Sequence, residues 1–251
     1  MRVIRLEFFK LRRKRLLLMT VLFLCAEIVW AFAAAGMSFS RHPDRAGWEP
    51  VMVMLSSMNG LFLPILSAIV VSRICDMEHK GNTWKLLLSA SVRRGQLYSA
   101  KYICTCFILL CACMLQVLAI VVFGIMNDFV EPVPTFLLVC FLVGVMVTNM
   151  VVIALQQWMS MAVKNQAFAL CLGMLGGFIG LVGDLFPATV RRFFPWTYYT
   201  GLSPITQTYA SDEMQLIVRD WGAVLPVTGM LIVAAFAIYA AGSLHVSKQE
   251  V

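Results

Sequence analysis

Six stretches of this chain are apolar over close to 20 residues or more. Each is long enough to cross the ~30 Å hydrocarbon core of a bilayer as a helix. They cover residues 16–37, 51–72, 102–126, 135–161, 167–185 and 223–244. In lipid a backbone must satisfy its own hydrogen bonds, so such runs read as transmembrane helices. The expected fold is one all-α integral membrane domain over residues 1–251. Composition points the same way. Residues AVILMFWYC make up 61% and charged residues 13%, against about 45–50% and 25% in soluble domains. The spans use roughly half the chain, which leaves little room for a soluble catalytic domain.

The Lys and Arg residues set the orientation. Fifteen of the 20 lie in the N-terminus, the 73–101 loop, the 162–166 turn and the C-terminus. Arg41, Arg45, Arg191, Arg192 and Arg219 lie on the other side. The positive-inside rule places both termini in the cytoplasm, and an even number of spans agrees with that. The net charge of +7 borders the apolar runs, so it orients the chain in the membrane and implies no nucleic-acid partner. The first apolar run is longer than the ~7–15 residues of a signal-peptide core, so no cleavage is expected. Residues 1–15 read as an interfacial helix. Ile4, Phe8 and Leu11 share one face and Arg5 and Arg12 another, which suits the headgroup layer of membrane lipid. A plain stop-transfer charge cluster is the alternative.

Enzyme signatures are missing. The chain has no G-x-x-x-x-G-K-[ST] and no H-E-x-x-H, and His42, His79 and His245 are scattered. No metal site, cofactor site or catalytic triad follows. Seven of the eight cysteines lie inside apolar runs, with Cys75 at the end of one, which suits buried packing rather than disulfides. Glu27 is the only acid deep in a span. A charge there costs at least about 2.5 kcal/mol, so it must face a cavity, pair, or be protonated. Asn149 and Gln156 are seven residues apart and share a face of span four, with Gln157, Asn59 and Gln116 as further polar groups. Glu27, Asn149 and Gln156 are candidates for a translocation path at a subunit interface. Interhelical hydrogen-bonding is the other role open to the amides. Gly173-x-x-x-Gly177 allows close helix approach, within the bundle or in a dimer.

The segment 76–95 carries the most information. Trp84, Leu87 and Leu88 fall at i, i+3, i+4, so an amphipathic helix can start near Thr83. Gly81 permits the turn before it and Asn82 can cap it. Arg93-Arg94 ends the pattern, and Lys101 marks re-entry into the membrane. Such a helix can dock a soluble partner or merely anchor the loop.

This loop resembles that of the six-span permease subunits of type-2 ATP-binding-cassette (ABC) exporters, roughly E-x(2)-x-G-T-W-x-x-L-L-S-x-P-x-x-R followed by Lys. Glu78, Gly81, Thr83, Trp84, Leu87, Leu88, Ser89, Arg94 and Lys101 match. Asn82 is inserted, and Ser91 stands at the family proline. The resemblance implies a coupling helix over 76–95, with Arg93 beside Arg94, fitting a groove on an ATPase subunit. Within the class the chain is most similar to lantibiotic-immunity permeases, whose Pro-Trp-[Ser/Thr]-Tyr signature looks like Pro195-Trp196-Thr197-Tyr198. That implies an antibiotic-peptide exporter of the bacterial cytoplasmic membrane. Two ATPase copies would bind ATP and Mg, and a second permease subunit, same or related, would complete the pathway.

The loop 186–222 joins spans five and six on the outside. Its aromatics sit beside Arg191 and Arg192. They can form an interfacial belt or the lip of an exit path, where Arg191, Arg192, Trp196 and Tyr198 would contact an amphipathic peptide or other hydrophobic substrate. Two further readings stay open: a permease for a lipid or small antibiotic, and a proton-coupled secondary transporter using Glu27.

Overall fold

The computed structural model describes residues 6–10, 15–81, 94–163, 165–210 and 213–248. Six long helices carry the fold: α1 (Leu16–Arg41), α2 (Trp48–Gly81), α3 (Arg94–Met126), α4 (Thr135–Ala162), α5 (Gln166–Val182) and α6 (Trp221–Lys248). All six are long and apolar enough to cross a membrane. With six crossings both ends of the chain emerge on one side, the near end; the opposite side is the far end.

Several helices outrun their apolar stretches. α2 continues past Ser72 to Gly81, and α3 begins at Arg94, before Lys101. At 1.5 Å per residue, helices of 34 and 33 residues reach about 50 Å, well beyond the hydrocarbon core. The helical backbone therefore extends past the apolar stretches on both sides of residues 82–93. Residues 6–10 are also helical. Leu6 and Phe9 are exposed while Glu7 is buried, and Phe8 meets Phe107 of α3 edge-on at 5.4 Å. The short helix thus shows lipid one face and the bundle the other.

α2 and α4 are central, and the other four helices surround them. The outward faces are apolar: Leu22, Trp30, Leu118, Phe136, Phe178 and Phe236 are all more than half exposed. In water such a surface would aggregate; against lipid tails it is the expected exterior.

α5 lies against α2 with almost no side chain between them. A Cβ at Gly180 would stand 2.2 Å from the Gly60 carbonyl oxygen, and one at Gly177 2.7 Å from the Leu61 oxygen. Pro64, inside α2, has no N–H to offer the carbonyl four residues back, which is that of Gly60. The glycine stripe of α5 is therefore used within the chain.

The segment between α5 and α6 is built, not loose. Short helical turns at Gly183–Leu185, Ala188–Arg191, Pro195–Thr197 and Tyr198–Gly201 lead into a hairpin. Its strands, β1 (Ile205–Ala210) and β2 (Glu213–Val218), are antiparallel with Ile205 opposite Val218 and Gln207 opposite Leu216. An all-helical reading had no place for this hairpin.

Candidate functional site

Of the residues expected to couple to an ATPase, Glu78 and Gly81 fall in the last turns of α2, and Arg94 opens α3. Thr83, Trp84, Leu87, Leu88 and Arg93 lie outside the described residues. The helix ends that flank them are tied together. Lys101 is fully buried. Its Nζ donates to the carbonyl oxygen of Ile74 at 2.9 Å and to Glu7 Oε2 at 3.2 Å. One ammonium thus joins the end of α2, the start of α3 and the N-terminal helix. Glu7 Oε1 also accepts from Lys10 at 2.9 Å.

The first turns of α3 are held by two further helices. Gln157 Nε2 of α4 donates to the Tyr98 carbonyl at 2.7 Å. Ser99 Oγ and Tyr239 Oη of α6 are 2.6 Å apart. Tyr98 lies over Gly242, where an added Cβ would stand 2.3 Å from its hydroxyl. The start of α3 is therefore fixed to α2, α4 and α6 together. Periodicity singled out neither Glu7 nor Tyr239, and Gln157 stood out only as a further polar group of span four. A lone acid in a segment with seven basic residues was the only available signal for Glu7.

Glu27, Asn149 and Gln156 are all completely buried inside this chain's own bundle, and none reaches its outer surface. Asn149 Oδ1 accepts from Tyr199 Oη at 2.7 Å, and its Nδ2 faces Cys113 Sγ at 3.5 Å. With its amide turned the favourable way, Gln156 donates to the Ala169 carbonyl and accepts from Gly173 N–H, both at 3.0 Å. The two amides thus tie α4 to its neighbours, as interhelical bonds do. Gln116 Nε2 donates to Asn59 Oδ1 at 2.8 Å. The amide of Gln116 faces Glu27, yet both Glu27 oxygens lack a hydrogen-bond partner. We expect Glu27→Gln to melt at or above the wild-type temperature, because an amide costs less than a carboxylate in an unpaired site. A fall of more than about 4 °C, roughly 1 kcal/mol for a chain this size, would reveal a carboxylate partner.

At the far end the proposed outer contacts are largely internal. Arg191 Nη1 pairs with Asp184 at 2.7 Å, and Nη2 donates to Thr200 Oγ1 at 3.1 Å. Tyr198 Oη donates to the Arg192 carbonyl at 3.0 Å. Trp196 is buried on α5, where a Cβ at Gly176 would stand 2.3 Å from its Nε1. Arg219 Nη1 donates to the Gly201 carbonyl. Burial lowers the Arg219 pKa, Arg191 pushes the same way and Asp184 opposes. Burial raises the Tyr198 pKa against the pull of Arg192 and Arg191. Together these contacts form a cap that folds back onto α5; Arg192 and Phe193 remain exposed.

Among the described residues no group of three His, Cys, Asp or Glu could hold a metal. The arrangement offers a clamped loop root at one end, a packed polar interior and a folded cap at the other. A comparison with curated proteins finds no match for the chain. The family model for the ABC-2 family transporter protein matches residues 3–180, more than two thirds of the chain. That family supplies the membrane component of transporters and normally works with an ABC ATPase partner. With six candidate spans and this match, the chain belongs to the ABC-2 transporter family and is a multi-pass membrane protein.

Proposed function

We propose that this chain is the permease subunit of an ATP-driven exporter in the bacterial cytoplasmic membrane. Its cargo is an amphipathic antibiotic peptide of the lantibiotic type, removed from the membrane for immunity or resistance. Two copies of a separate ATPase bind ATP and Mg. A second permease, same or related, supplies the other half of the pathway. The observation that carries this reading is the root of the 76–95 segment. Glu78, Gly81, Thr83, Trp84, Leu87, Leu88 and Arg93-Arg94 suit a docking helix, and Lys101 fastens its root to α2 and the N-terminal helix. Closure of the ATPase pair would push this segment, and the fixed start of α3 would carry the push into the bundle.

The test is affinity purification of the tagged chain in mild detergent, beside a variant with Trp84→Ala and charge reversals at Arg93 and Arg94. We expect a P-loop ATPase in stoichiometric amount, lost from the variant. If no ATPase accompanies the wild-type chain while the complex is preserved, the coupling assignment fails. Peptide export that persists in Glu27→Gln and stops without ATP would separate this reading from proton-coupled transport.

A further inference from the structure

A cavity of about 570 Å³ opens at the far end, between the ends of α1 and α3, the start of α2 and the hairpin. Pockets that hold small ligands run from about 300 to 1,000 Å³. Phe39, Met54 and Phe129 give it an apolar wall, and Asp44, Glu49 and Glu131 line it with carboxylates. Arg45 is the only basic residue among its lining groups, so it is net acidic in a chain of net charge +7. Among the described residues none of these three carboxylates makes a side-chain ion pair or hydrogen bond. Three acids and a single arginine leave the lining net negative, and a cation entering among them is favoured.

The wall is preformed. Trp48 is buried and its Nε1 donates to the Glu131 carbonyl at 2.9 Å, which fixes the turn carrying Phe129 and Glu131. Trp48 fits there because position 124 is glycine; a Cβ would lie 2.3 Å from its ring. Phe129 stands edge-on to Trp48 at 5.1 Å and to Phe39 at 5.9 Å. From the hairpin, the directly paired Gln207 and Leu216 close the other side. Val130, fully exposed, lies at the same site.

We propose that this cavity is an outer binding site for a cationic amphipathic peptide. Its apolar side chains lie on Phe39, Met54 and Phe129, and its Lys or Arg head groups meet Asp44, Glu49 and Glu131. The site deepens the exporter reading and rests on it for the peptide's role as cargo. The surplus of Lys and Arg at the near end makes the far end the outer face, and the cavity lies where spans leave the hydrocarbon. A peptide that inserts into the outer leaflet can reach it there.

The test uses the full chain in phosphatidylcholine nanodiscs and a fluorescent peptide, KLLKLLKKLLK, with ELLELLEELLE as the acidic counterpart. Anisotropy on empty discs is subtracted. We expect saturable binding of the cationic peptide alone, weakened by salt. The triple variant Asp44→Asn, Glu49→Gln, Glu131→Gln binds about tenfold more weakly, the combined effect of three partly exposed ion pairs. Leu216→Trp, which fills the cavity from the hairpin, also weakens binding while the melting temperature holds. Equal binding by the triple variant overturns the proposal. So does equal binding of the acidic peptide, or calcium binding by the wild-type chain that fully displaces the peptide, which would mark a cation site. The assay contains no ATPase, so its failure leaves the co-purification result standing, and the reverse also holds.

Discussion

Gly180→Leu should leave almost no monodisperse protein after detergent extraction, and Gly180→Ala should already lower the melting temperature. The cause is backbone against backbone. At Gly180 a Cβ would stand 2.2 Å from the Gly60 oxygen, and at Gly60 it would stand 2.7 Å from the Gly180 oxygen. No side chain can rotate away to relieve either contact. One turn below, Gly177 meets the Leu61 oxygen, and Gly173 would meet Ala68 Cβ at 2.3 Å. The helices must separate along the whole stripe to admit one large residue. Overpacking in a core costs about 1–3 kcal/mol and more where nothing yields. Here α2 is also central, so pulling α5 away loosens contacts that the other helices share. The Gly60 carbonyl, deprived by Pro64 of its helical donor, would lose the Gly180 backbone beside it, where a weak Cα–H contact is available. Gly36 has nothing within 4 Å, so Gly36→Ala should cost nothing and gain a little helix propensity. Wild-type yield and melting temperature in Gly180→Leu would show that this stripe is not a packing surface.

That use of the stripe illustrates what the sequence could and could not tell. Gly173-x-x-x-Gly177 signals close approach but does not name the partner helix. The partner is α2 because Gly60 and Pro64 stand at matching depth, a match of two distant segments that no local pattern contains. The apolar runs were legible because lipid demands length and hydrophobicity from each helix separately. The hairpin was not. Its strands, ITQTYA and EMQLIV, are short and mixed beside spans of 20 to 33 residues. Asn149 and Gln156 were legible as polar groups on one face. Their partners, Tyr199 of the cap and the α5 backbone at Gly173, come from chain that folds back from elsewhere. Trp196 and Tyr198 looked like headgroup aromatics for the same reason: burial of a loop residue depends on what the loop covers.

Lys101→Met should destabilise the chain by about 3 kcal/mol and also reduce the ATPase recovered with it. Removing one member of a buried ion pair costs ~3–5 kcal/mol, because the other charge stays buried alone. Lys10 still pairs with Glu7 at 2.9 Å, which holds the loss to the lower end. The Ile74 carbonyl also loses its ammonium donor, so the end of α2 is freed from the start of α3. Adding Glu7→Gln removes the carboxylate that has lost its buried partner and should recover part of the stability, a coupling that a double-mutant cycle measures. It should not recover ATPase binding, since the bond to Ile74 stays absent. The charge swap Glu7→Lys with Lys101→Glu separates the two roles further. It restores an ion pair but turns a carboxylate toward the Ile74 carbonyl, two acceptors face to face. Full recovery of both melting temperature and ATPase by the swap would mean that only the charge pair matters. Stability rescued without ATPase recovery would place the function of Lys101 in joining the two roots of the loop.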